Sequence, residues 1–126
     1  MIVAFLSLLA ELALGAGLIC AEARGQASEE QVAVARVVRN RVEASGTSGV
    51  GVMTAPHQFA RPCPARRVRL DHAISYARGR WGEAPSWSLE ATHFMARRVE
   101  PDVVEKWTKR GLERIDSGKT EHSFWR

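Results

Sequence analysis

The first twenty-one residues constrain this chain most. Met1 to Ala21 is apolar throughout except at Ser7 and Glu11, and no Lys or Arg appears before Arg24. A secretory signal would open on a basic residue and close on a small-x-small cleavage site. A membrane span of about 20 residues would carry Glu11 near the bilayer centre, at a cost of a few kcal/mol. A helix that is hydrophobic nearly all round belongs inside a domain. Residues 1–21 are therefore expected to form a buried first helix, with Phe5, Leu8, Leu9, Leu12, Ala16, Ile19, Cys20 and Ala23 at helical spacing. The same segment has the composition to double as an export signal, which would be its one route to a membrane.

The 126 residues fit a single domain, 1–126, around one core. Hydrophobic residues make up 45% and charged ones 25%, a balance that excludes disorder for the bulk of the chain. The net charge of +4 favours an anionic partner without choosing among nucleic acid, acidic lipid and cell wall. The charge is uneven: Arg61, Arg66, Arg67, Arg69, Arg78 and Arg80 are opposed in their stretch by Asp71 alone. That stretch reads as a solvated basic face or as a docking patch for carboxylates or phosphates. Cys20 and Cys63 lack the C-x-x-C spacing of a zinc pair. Cys20 reads as a small buried hydrophobe, and a Cys20–Cys63 bridge would need an oxidising compartment.

Gly25 is placed to stop the first helix. Ser28-Glu29-Glu30-Gln31 has the form of a capping box opening a helix to about Ala44, with Val34, Val38 and Val42 buried and Arg36, Arg39 and Glu43 outward. Residues 45–67 hold several Gly and Pro and read as loop. A third helix is expected over Val68 to Arg78 on the apolar positions Leu70, Ile74 and Ala77, then a loop from Gly79 to Ser88 bearing Trp81 and Trp87. Ala91 to Met95 suits a short strand, and Pro101 opens a short helix through Trp107. Leu112–Ile115 and Thr120–Trp125 flank the turn Asp116-Ser117-Gly118-Lys119 as a hairpin, with Thr120, His122 and Phe124 on one face and Ser123 and Trp125 on the other. Three to four helices with a short β-hairpin element make the fold class α+β.

Glu22 is the first candidate for chemistry. It ends a strongly apolar helix, where exposed carbonyls carry negative partial charge. Both features disfavour a bare carboxylate and favour a proton held there, as a general acid requires. Position alone also allows a surface pair with Arg24 or Arg39. Glu29 and Glu30 read as first-turn helix acids. Glu11, three turns before Glu22, reads as a buried structural group and a weak candidate partner.

The ordered motifs narrow these alternatives. Cys20-Ala21-Glu22-Ala23-Arg24-Gly25 followed by Gln31-Val32-Ala33-Val34-Ala35-Arg36-Val37-Val38-Arg39-Asn40-Arg41-Val42, then Gln58-Phe59, then Ala91-Thr92-His93-Phe94, then His122-Ser123-Phe124-Trp125-Arg126 resembles the germination-type cell-wall hydrolases of the SleB/CwlJ family over residues 8–126. Each motif alone is weak; the ordered set is specific. Gln26 and Glu30 depart from a usual Glu and Gly, Met95-Ala96 from Tyr-Asn, and Trp125 from Tyr, which leaves Glu22 in place and bears on substrate choice.

The resemblance implies a small lysozyme-like α+β domain with one catalytic glutamate, matched by Glu22. It implies cleavage of the MurNAc–GlcNAc β-1,4 bond of peptidoglycan, in some members as lytic transglycosylases, with no metal or cofactor. It also implies action on glycan strands in the cell wall or periplasm; the compact basic chain suits a phage or bacterial enzyme, expected as a monomer with no nucleic-acid partner. Gln58, Phe59, His93, Phe94 and His122 would line the groove, where aromatic faces stack on sugars and amide and imidazole groups bond hydroxyls. Phe59 and Phe94 would serve equally as core, and His93 and His122 as structural histidines. Arg24, Asn40 and Arg41 would support the Glu22 turn, and Trp81, Trp87 and Trp107 read as core or lid residues. Two rivals stand beside this reading. A zinc amidase or peptidase could draw on His57, Cys63, His72, His93 and His122, though these lack ligand spacing. A non-enzymatic basic binding module could use the arginine stretch, though no nucleic-acid-binding motif accompanies it.

Overall fold

A computed structural model describes residues 2–56 and 58–126; Met1 and His57 lie outside the described residues. The described residues form five α-helices: α1 (Ile2–Ala23), α2 (Ser28–Ser45), α3 (Gly49–Thr54), α4 (Leu70–Trp81) and α5 (Glu100–Lys109). Strands β1 (His93–Ala96) and β2 (His122–Trp125) pair antiparallel, with Phe94 opposite Phe124 and Ala96 opposite His122.

The helix buried nearly all round is α2. Glu30 to Ala35, Val37 and Val38 are all shielded, and Val34, Val37 and Val38 meet Leu18, Ile19 and Ala23 of α1, Tyr76 of α4 and Phe124 of β2 in one core. Burial of the whole of 1–21 is overturned: Ile2–Ala10 are exposed, and α1 is continuously buried only from Gly15 to Cys20. The reason is where α4 ends. α4 runs antiparallel to α1, with Tyr76 against Gly15 and Arg80 on Glu11, so the part of α1 before Glu11 projects past it. A Cβ at Gly15 would lie 2.4 Å from the Tyr76 ring, and one at Gly79 would lie 2.2 Å from the Val32 carbonyl oxygen, so two glycines set the approach of α4 to α1 and α2.

α4 is turned relative to expectation. Leu70 and Ile74 face solvent at 77% and 52% exposure, while His72, Ser75, Tyr76 and Gly79 form the buried face. Small and hydrogen-bonded groups allow the close approach. The Ser75 hydroxyl donates to Gln31 Oε1 at 2.8 Å, the Tyr76 hydroxyl to Glu11 Oε2 at 2.8 Å, and the Arg69 amide to His72 Nδ1 at 3.0 Å. Burial, then the Glu11 hydrogen bond, pushes the Tyr76 phenol far above its ordinary pKa. The capping box at Ser28 is also overturned. Ser28 is already helical, its hydroxyl caps no amide, and Gln31 turns inward to donate to the Ala23 carbonyl at 3.2 Å.

Two loop assignments change. α3 forms within 45–67, capped by Ser48, whose Oγ accepts from the Gly51 amide at 3.0 Å. The predicted C-terminal hairpin is shorter than expected: Arg114 bridges Trp125, the Glu113 and Arg126 amides donate to each other's carbonyls at 2.9 Å, and the Ile115 amide donates to the Phe124 carbonyl at 2.8 Å, while β2 also pairs with β1. Asp116, its side chain 1% exposed, holds the turn by accepting from the Phe124 and Gly118 amides and from Arg97 and Arg114. Alternation along β1 and β2 puts Phe94, Ala96, His122 and Phe124 on one face. His93 and Trp125, on the other, pack against Trp107 of α5 at ring distances of 5.2 and 5.8 Å.

Cys20 is buried and bonded to Cys63, with Cα atoms 5.9 Å apart, and the Cys63 amide donates to the Gly17 carbonyl at 3.1 Å. The loop before α4 is thereby tied to the end of α1. The result is a mostly helical, small α+β lysozyme-like domain.

Candidate active site

Glu22 occupies the last turn of α1, partly buried. Its Oε1 accepts a hydrogen bond from the Ala60 amide at 2.8 Å; its Oε2 accepts none among the described residues. The disulfide at Cys63 brings the 58–60 loop to this position. Glu22 lines a cavity of about 210 Å³ together with Gln26, Ala96, Arg97, Glu121 and His122. His122 is buried, its Nδ1 hydrogen-bonded to Glu30 Oε2, and Glu30 also accepts from the Glu121 and His122 amides at 2.9 and 3.1 Å. A carboxylate only accepts, so Nδ1 donates, which fixes the ring's tautomer and orientation.

A larger cleft of about 520 Å³ lies along Arg41, Thr47, Val52, Ala55, Gln58 and His93. Arg41 organises it. Its Nε donates to the Thr92 carbonyl at 2.7 Å, its Nη1 donates to Gln58 Oε1 at 2.9 Å, and its guanidinium lies 4.9 Å from the Phe59 ring centre. Phe59 and Phe94 meet at 6.0 Å, and Phe94 meets His122 at 5.6 Å. Along the chain the pair falls between residues of the two hollows. Phe59 stands between Gln58 of the large cleft and Ala60, which holds Glu22; Phe94 follows His93 of the large cleft and precedes Ala96 of the small cavity by two residues. Burial, then the charges of Arg41 and Arg110, draws the His93 imidazole below its ordinary pKa, which keeps it neutral near pH 7.

The supporting residues divide. Asn40 donates to the carbonyls of Leu89 and Ala91 at 2.9 and 2.8 Å and so sets the path into β1. Arg24 is not brought to Glu22: it lines a separate basic cleft with Arg61, Arg66 and Arg67. Arg39 pairs with Glu43, so neither arginine is an ion-pair partner of Glu22. Glu11 lies about 16 Å from Glu22 along the helix axis, engaged by Tyr76 and Arg80. Trp87 packs on Phe124 at 5.1 Å and donates to Glu29, while Trp81 is edge-on to Tyr76 and partly exposed. Of the residues a zinc site could draw on, His57 is outside the described residues, Cys63 is in the disulfide, and His72 and His122 have partners. Among the described residues, no three His, Cys, Asp or Glu side chains converge as metal ligands.

Four segments far apart in sequence thus meet around Glu22: the end of α1, the 58–60 loop, β1 and β2. The fold is similar to that of the SleB catalytic domain. The crystal structure of the catalytic domain of the Bacillus cereus SleB protein matches this chain with a TM-score of 0.71 at 21% identity, covering 92% of this chain and 89% of that one. No protein-family model and no curated protein sequence matches the chain. Within this SleB-like fold, Glu30 was missed as a site residue. Its place near the start of α2 reads as a dipole-facing acid, but its spacing of four from Val34 and eight from Val38 puts it on the buried face, where it clamps His122.

Proposed function

We propose that this chain is a peptidoglycan-degrading cell-wall hydrolase that cleaves the MurNAc–GlcNAc β-1,4 bond as a lytic transglycosylase, with Glu22 as acid and base. The observation that carries this is the Glu22 carboxyl, one oxygen held by the Ala60 amide and the other without a partner among the described residues, in a cavity shared with His122. The SleB-like fold and the ordered motifs support the substrate class. The protonated carboxyl gives its proton to the glycosidic oxygen as the C–O bond breaks. The carboxylate then takes the proton of the C6 hydroxyl of the same muramic residue, whose oxygen bonds to the anomeric carbon and closes a 1,6-anhydro ring. Gln58 and neutral His93 in the neighbouring cleft suit hydroxyl and acetamide groups, and Phe59 and Phe94, next to them in sequence, pack on each other. The Cys20–Cys63 bridge suits an oxidising compartment, as action on the wall requires.

One observation favours a second reading. Glu121 also lines the cavity, and its side chain makes no hydrogen bond among the described residues. Two carboxylates beside one bond are the equipment of a hydrolysing glycosidase. Mass analysis of fragments released from purified sacculi separates the two: 1,6-anhydro ends are expected, with Glu121→Gln near the parent rate, whereas reducing ends together with inactivity of Glu121→Gln would transfer the assignment to two-carboxylate hydrolysis. Glu22→Gln should lower the rate about 10²–10⁴-fold with the fold retained; undiminished lysis by a folded Glu22→Gln protein rules out both mechanisms.

A further inference from the structure

Beside the end of α1 lies a cleft of about 510 Å³ lined by Ala21, Arg24, Arg61, Arg66 and Arg67, with Pro62 and Pro64 in its wall. None of these four arginines makes an ion pair or a side-chain hydrogen bond among the described residues, and no acidic side chain lines the cleft. The nearest ion pair along the chain, Arg69 with Asp71, is outside its lining. Four guanidinium groups around a space of this size lie within about one Debye length of each other at physiological salt, so their mutual repulsion is not screened away. Their scaffold is nonetheless rigid: two prolines fix φ, residues 65–67 form a helical turn, and the Cys20–Cys63 bond anchors the segment to α1. An exposed, uncompensated arginine cluster on an anchored backbone segment has the chemistry of an oxyanion receptor, since guanidinium groups bind carboxylate and phosphate bidentately. The cleft also adjoins the reaction site. Arg61 follows Ala60, whose amide holds Glu22; Ala21 precedes Glu22 in α1, and Arg24 follows the helix end two residues after it.

We propose that this cleft is an anion subsite that grips oxyanions carried by the wall polymer, the carboxylates of its peptide branches or the phosphates of polymers attached to it, while the glycan lies against Glu22. This rests on the wall-hydrolase reading, and binding is therefore measured apart from cleavage. Co-sedimentation of Glu22→Gln protein with purified sacculi is followed against salt, alone and combined with Arg66→Glu/Arg67→Glu or with Arg66→Lys/Arg67→Lys, thermal melting confirming the fold in each. The Glu pair should weaken binding at least about tenfold and flatten its salt dependence, as loss of phosphate- or carboxylate-contacting cations does, and the Lys pair should retain most of it. Sacculi stripped of phosphate polymers and sacculi with amidated carboxylates identify the source, whichever treatment reproduces the loss. Binding unchanged by the Glu pair, or unchanged by both treatments together, overturns the subsite. Equal, arginine-dependent binding to duplex DNA would instead make it a general polyanion surface and overturn its assignment to the wall. Arginine-dependent binding without any glycan cleavage by the parent protein would leave the subsite standing and remove the enzyme assignment.

Discussion

At the scale of single residues, the site depends on buried pairings as much as on its exposed groups. Glu30 takes three donors, the Glu121 and His122 amides and His122 Nδ1. Glu30→Ala leaves the two His122 donors buried without a partner and frees the part-buried Glu121 amide, and should cost about 3 kcal/mol or more, while Glu30→Gln, which keeps an acceptor, should cost less; denaturant unfolding reads both, and a loss below about 1 kcal/mol for the Ala variant would mean the clamp contributes nothing. His93 supplies a pH test. Its folded pKa is depressed, by burial first and then by Arg41 and Arg110, while the unfolded chain takes up its proton near pH 6.5. Its stability contribution is therefore present above about pH 6.5 and lost as pH falls through the folded value. The parent should lose stability on acidification below about pH 6.5 more steeply than His93→Gln, and identical slopes would show that His93 titrates in the fold as it does unfolded. Glu22 was legible because an apolar helix ends on it inside a motif. The partner of His122 was hidden because a Glu near a helix start has an ordinary explanation that needs no burial.

At the scale of elements, the sequence pattern identified most of the pieces and missed how they face each other. Periodicity places α1, α2, α4, α5 and both strands within a few residues, yet α4 presents its polar and glycine face inward, since Tyr76, Ser75 and Gly79 meet neighbours too close for Leu70 or Ile74. The tail hairpin forms in short form on its local turn residues, but the long-range pairing of β2 with β1 over the core was not legible in the local pattern. The disulfide was equally hidden, because Cys20 in an apolar run looks like any small hydrophobe. It closes a separation of 43 residues, for which chain entropy gives about 4 kcal/mol. It also ends the loop that delivers the Ala60 amide to Glu22. Cys20→Ala/Cys63→Ala, or the reduced parent, should lose stability of that order and lose lytic rate as well. Reductant that leaves both melting and lysis unchanged would show that the 58–60 loop is held by its other contacts.

At the scale of the whole molecule, α1 serves two environments. From Gly15 onward it is core and carries Glu22; from Ile2 to Ala10 it stands in solvent with no polar side chain but Ser7. The helix is long and apolar enough to cross a membrane by length and composition, but a full crossing would draw Leu18, Ile19 and Ala23 out of the core they help to build and break the Cys20–Cys63 tie. Glu11 marks the division, its carboxylate held by Tyr76 and Arg80 at the end of the packed region. Hydrophobicity along one dimension could not show this, because a half-helix in solvent and one in a core have the same composition. The exposed half, about 14 Å long, contributes no residue to the core or to either hollow around Glu22. Deleting residues 1–9 should therefore leave the melting temperature within a few degrees of the parent and lysis of sacculi undiminished, while reducing adsorption to lipid vesicles and self-association, the expected behaviour of so large an exposed apolar surface. Deleting residues 1–14 removes Glu11, strands Tyr76 and Arg80, and should cost several kcal/mol. Were the shorter deletion to unfold the domain or abolish lysis, the apolar half would have to pack against the molecule in a way this fold does not contain.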